Sequence, residues 1–150
     1  LTLPTGGTMS DFTFGNVDAL KRNLELEGEK GTELGIGAGI TLVVLAATDA
    51  NPQWKARGEQ IRAELNRLSN ARADNKRVRA YLAGIYADTI VKGWRGVVDG
   101  DGNAIPFTRE ACKAFLLDVD DAYAAVDAII YDTKNFRGAR IEAVVEEAKN

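Results

Sequence analysis

The chain has 150 residues, 45% of them apolar, and a formal charge of -3, enough for one domain that buries about two-thirds of the surface its unfolded form exposes. The mildly acidic balance argues against the basic stripe through which proteins gain affinity for nucleic acid. With no histidine and one cysteine, it has no Ser-His-Asp or Cys-His arrangement, no imidazole metal ligand and no internal disulfide, so a hydrolase and an oxidising compartment are both disfavoured.

Residues 1–10 read as a flexible extension ahead of the domain, since Met9-Ser10-Asp11 has the look of a natural start. Residues 11–150 read as a single domain, with a helix and a β-hairpin over 11–50 and a helical bundle over 51–150. Asn16 is a plausible N-cap, and Val17, Leu20 and Leu24 at helical spacing predict a helix over Asn16–Glu27 that Gly28 stops. Leu34, Ile36, Ile40, Leu42 and Val44 then alternate with small or polar residues around Ala38-Gly39. They predict a hairpin whose second strand, Ile40–Ala46, is the more buried. The glycines at 35, 37 and 39 resemble a phosphate loop, yet no Lys-Ser or Lys-Thr pair follows them. The longest apolar stretch, Ile36–Ala47, falls short of the ~20 residues of a membrane helix.

From Pro52, placed at a first helical position, Trp54, Ile61, Leu65 and Leu68 predict an amphipathic helix over 52–70. Lys55, Arg57, Arg62, Arg67, Arg72, Lys76, Arg77 and Arg79 alternate there with Glu59, Glu64 and Asp74, a pattern that reads as a solvated face. After a break near 69–74, Val78, Leu82, Ile85, Tyr86, Ile90 and Trp94 predict a third helix closed by Gly96. Thr108 caps a fourth, with Glu110 near the positive end of its dipole. A fifth covers Asp120–Tyr131 and a sixth Arg137–Lys149. The predicted fold class is mainly α: a small helical domain with an N-terminal β-hairpin, α+β in kind.

Chemistry-bearing groups are sparse. Cys112 sits on a helix near Phe115 and Leu116, as a small buried hydrophobe does. Asp99, Asp101, Asn103 and Glu110 match positions one, three, five and twelve of an EF-hand loop. Ala104 and Pro106, however, depart from that pattern, and an Asp-Gly turn followed by a helix cap explains the same residues without a metal. Trp54, Tyr81, Tyr86, Trp94, Phe107, Phe115, Tyr123 and Tyr131 sit at spacings usual for core, one or two of them forming a partner patch being the alternative. No catalytic, cofactor or metal residue is expected.

The stretch from Trp94 to Glu110, WRGVVDGDGNAIPFTRE, resembles the W-x-G-V-x-D-x-D-G-x-x-I-P-[FY]-[ST]-x-E segment of the tail assembly chaperones of long-tailed bacteriophages. Trp94, Gly96, Asp99, Asp101, Gly102, Pro106, Phe107 and Glu110 carry the resemblance. The helix start Asn51-Pro52-Gln53-Trp54 and the late Asn135-Phe136 pair are similar as well, whereas Gly31-Thr32-Glu33-Leu34 stands where many relatives place an aromatic. The resemblance implies a non-enzymatic protein of the host cytoplasm, free of cofactors, that binds the tape measure protein, helps recruit tail tube subunits and is absent from the finished virion. A structural tail or connector subunit and a phage-encoded inhibitor of a host protein are the alternatives.

Overall fold

A computed structural model describes residues 12–13, 17, 20–138 and 140–142, the last three as backbone. The start of the expected helix at Asn16 and most of the one expected over Arg137–Lys149 lie outside the described residues. Within them, the first expected helix is reduced to a turn. Lys21–Asn23 is not helical, the Asn23 side chain accepts from Leu26 N at 3.1 Å, and helix resumes at Leu24, widening over Leu26–Lys30. Gly31, with φ 78°, ends it in place of Gly28.

The hairpin forms as the alternation predicts, with β1 over Thr32–Gly37 and β2 over Ile40–Val44. Ala38 and Gly39 take φ of 57° and 75°, the double positive φ that a tight two-residue turn with the right strand twist requires.

The expectation of a mainly α fold is overturned. The hairpin is the centre of a four-stranded sheet in the order β3-β2-β1-β4, and the molecule is mixed α+β. Strand β3, Val91–Arg95, runs antiparallel to β2, and β4, Arg140–Glu142, runs parallel to β1. The four-residue spacing that Ile90 and Trp94 continue predicts helix through Val91–Arg95. That helix stops at Thr89, where β-branched Thr89, Ile90 and Val91 crowd a helical backbone. Thr89 Oγ1 bonds back to Ile85 O at 2.8 Å, and the Thr89 carbonyl is taken by Asn51 Nδ2 at 2.8 Å. Arg140–Glu142 likewise forms a strand where a helix was expected.

Five α-helices and a short 3-10 helix over Thr133–Phe136 complete the described chain, the α-helices being α1 over Pro52–Ala56, α2 over Gly58–Asn70, α3 over Asn75–Thr89, α4 over Arg109–Asp118 and α5 over Asp120–Ile129. The expected 52–70 helix is thus broken at Arg57, whose φ of -100° and ψ of 3° precede Gly58, a poor helix former, and whose side chain pairs with Asp88 at 3.0 Å. Asn51, fully buried, joins three elements. Its Oδ1 caps Trp54 N and its Nδ2 donates to the carbonyls of Ala46 and Thr89. Thr108 caps α4 as expected, accepting from Ala111 N at 3.0 Å.

The core lies between one face of the sheet and α3, α4 and α5. Leu34, Leu42 and Val44 meet Tyr86, Ile90, Leu116, Val126, Ile130 and Phe136 there, all fully buried. Leu34, Leu42 and Trp94 stand in one cross-strand row. On the opposite face Arg95 pairs with Glu33 at 3.0 Å. No helix among the described residues is long and apolar enough to cross a membrane.

Candidate functional site

The aromatic side chains fall into two groups. Trp54, Tyr86, Tyr123 and Tyr131 cluster where α1, α3 and α5 meet, with Tyr86 stacked on Tyr123 at 5.7 Å between ring centres. The buried Tyr86 hydroxyl donates to Asp127 at 2.5 Å and lies 2.8 Å from that of Tyr131. Burial, reinforced by these hydrogen bonds, drives the Tyr86 phenol far above its usual range, so it stays neutral. Tyr86 belongs to the core, Trp54 and Tyr123 are half-buried around it, and Tyr131 lies exposed at the edge of the cluster.

The second group, Trp94 with Phe107 and Phe115, lies at the opposite end of the sheet and is only half-buried. Both phenylalanines meet the indole edge to face, at 5.1 and 5.5 Å, and Trp94 Nε1 donates to Ile105 O at 2.9 Å. Beside them opens a cleft of about 600 Å³, apolar for most of its lining. Ala38 and Ile40 of the hairpin form one side, Trp94 and Phe115 the floor, and Ala111 and Ala114 of α4 the other side. Trp94, whose spacing is usual for core, is half-buried and lines an open groove.

The segment from Gly96 to Pro106 shapes this wall. Gly96 has φ 84°, and a Cβ there would stand 2.1 Å from Gly39 O, so only glycine lets β3 turn away under the hairpin tip. Val97 O accepts from Ile105 N, and Val98 bridges Ala104, which makes a small loop closed by a turn over Asp99–Gly102. Asp99 Oδ1 accepts from the backbone N–H of both Asp101 and Asn103, and Gly102 takes φ 86°. This is the Asp-Gly turn preferred over the EF-hand reading: Asp99 directs an oxygen to its own backbone. Among the described residues no group of three or more His, Cys, Asp or Glu is placed to hold a metal ion.

Of the residues singled out by motif, Trp94 and Gly96 line the cleft, and Phe107 packs against the Trp94 ring without lining it. Asp99, Asp101, Gly102 and Pro106 form the exposed loop beside it, and Glu110 lies exposed in the first turn of α4. The contributions of Ala38, Ile40, Ala111 and Ala114 escaped the sequence reading. Their signal was the pair of small residues Ala111 and Ala114 on α4, which periodicity alone assigns to neither core nor site. Cys112 faces the core, 1% exposed, and burial pushes its thiol up to about 12, leaving no thiolate for nucleophilic attack.

No curated protein and no solved structure matches the chain. The family model described as YdaY prophage protein matches residues 49–150. That span starts just before Asn51 and takes in the helices, both outer strands and the whole of the Trp94–Glu110 segment, so this phage-derived chain belongs to the YdaY prophage protein family.

Proposed function

We propose that the protein is a non-enzymatic tail assembly chaperone that holds an apolar segment of the tape measure protein in the Trp94 cleft until tail tube subunits cover it. The observation that carries this reading is that the segment resembling those chaperones folds as the wall of an open apolar groove. A long, apolar-striped protein awaiting its tube gains by burying its stripe in such a groove, because contiguous apolar surface left in water drives aggregation. Release needs no chemistry, since tube subunits that bury the same stripe over a larger area displace the chaperone by mass action. The buried neutral thiol of Cys112 and the lack of histidine accord with a role in binding.

Co-expression with the tape measure and tube proteins encoded in the same prophage, followed by affinity purification from the soluble fraction, tests the proposal. The expected result is a soluble, co-eluting tape measure protein, together with absence of this chain from purified virions. Stoichiometric presence in virions would identify a structural subunit instead, and selective capture of a host protein an inhibitor.

A further inference from the structure

The cleft differs from the charged surface around it, and the one charged side chain on its lining is a carboxylate. Asp118 lines its end. Asp99 and Asp101 follow Val98, which is itself on the lining, and Glu110 precedes Ala111 on α4. None of these four carboxylates makes an ion pair among the described residues. Nearby cations do little to offset them. Arg95 is held by Glu33 on the other face of the sheet, and Lys113 extends over Gly84 of α3, leaving Arg109 at the start of α4. The α4 side, by contrast, leaves room for close approach. Ala111, Ala114 and Asp118, at i, i+3 and i+7, make a shallow furrow along α4, the kind of surface against which a second helix lays its ridge.

We infer that the cleft takes an amphipathic helical segment whose apolar stripe is flanked by lysine or arginine, the stripe packing on Trp94 and Phe115 and the cations meeting Asp99, Asp101, Glu110 and Asp118. The inference rests on the binding role proposed above and adds the chemistry of the partner. Apolar burial supplies the affinity, and the carboxylate rim selects the sign of the flanks and speeds encounter.

The test uses the full chain and three labelled synthetic peptides of about 18 residues, five helical turns. All carry the same leucine stripe. One has lysine flanks, one glutamate flanks, and one has the lysine flanks with two prolines that forbid a helix. Fluorescence anisotropy is expected to show the lysine peptide binding at least about tenfold more tightly than either of the others, with a margin over the glutamate peptide that shrinks as salt rises. Ala114→Arg, at an exposed position, should abolish binding without altering the circular dichroism spectrum. The combined Asp101→Asn, Glu110→Gln and Asp118→Asn substitutions should remove the preference for lysine over glutamate flanks. Equal binding of the glutamate peptide overturns the electrostatic part, equal binding of the proline peptide overturns the helix, and undiminished binding by Ala114→Arg overturns the site. The two proposals fail separately. A tape measure protein that co-elutes undiminished with Ala114→Arg leaves the chaperone role standing and removes the cleft from it. Peptide selectivity without co-elution keeps the cleft's chemistry and ends the chaperone reading.

Discussion

At Gly96 the motif is dictated by backbone geometry. The residue has a positive φ, and the Gly39 carbonyl stands where a Cβ would go. Alanine there meets strain of about 1–3 kcal/mol from the backbone alone, and the clash forces the hairpin tip away from the loop. Gly96→Ala should therefore lower the urea midpoint sharply while leaving the core helices in place, a combination that amide exchange would localise to β2 and β3. Ala38, at φ 57°, shows the opposite case: a residue with a Cβ occupies a turn position that favours Asn or Gly. Ala38→Asn, which creates an Asn-Gly turn, should raise stability by about 0.5–1 kcal/mol, and a lower midpoint would show that the Ala38 methyl packs more than the turn strains.

Glu27 governs the acid limb of stability. Fully buried, it accepts from Arg22 at 2.6 and 3.0 Å and from Thr48 at 2.9 Å. The Arg22 hydrogen bonds first, then that of Thr48, outweigh the cost of burial and hold its carboxyl below the ordinary 4.5. A depressed carboxyl stabilises fully above its unfolded value and loses that contribution as pH falls through the folded one. Glu27→Gln should accordingly be less stable than the parent at neutral pH, with the difference closing as pH drops below about 4. A difference independent of pH would mean that shape rather than charge is what Gln fails to reproduce.

Among the elements, those set by local chemistry were legible and those set by partners were not. Pro52 and Thr108 announced their helices through a fixed φ and a capping hydroxyl, and the Leu34–Val44 alternation announced the hairpin. Val91–Arg95 was not legible, because Ile90 and Trp94 satisfy a helical period and the decision for a strand lies in β2, whose free edge accepts Trp94 opposite Leu42. The three-residue β4 carries too little pattern to be read and depends on the edge of β1. The cleft was not legible: the Trp94–Glu110 motif marks a stretch of chain and no groove, and Ala38, Ile40, Ala111 and Ala114 become a surface only when the hairpin and α4 meet. Asn51 illustrates how such meetings are fixed. Its amide closes the end of β2, the end of α3 and the start of α1 together. Asn51→Ala should cost about 2–4 kcal/mol, combining a lost cap with two buried carbonyls left unpaired. A loss under about 1 kcal/mol in chemical denaturation would mean that water replaces the amide.

For the molecule as a whole, strand order matters more than family span. The family match begins at residue 49, after the hairpin, so it includes β3 and β4 and omits the two strands that lie between them. A polypeptide limited to residues 49–150 would hold two outer strands with nothing to pair with, and would expose the faces of Tyr86, Ile90, Val126 and Ile130 that now bury Leu34, Leu42 and Val44. Unpaired strand backbone and uncovered core are each sufficient to prevent a cooperative fold. The fragment should therefore be helical by circular dichroism yet lack a cooperative thermal transition, and a separately supplied hairpin peptide covering residues 20–48 should restore one. The same hairpin provides Ala38 and Ile40 of the cleft, so any partner of the Trp94 segment should be lost with it and regained with the peptide. A fragment that melts cooperatively by itself would show that the helices close their own core and that the hairpin is an addition to an already complete fold.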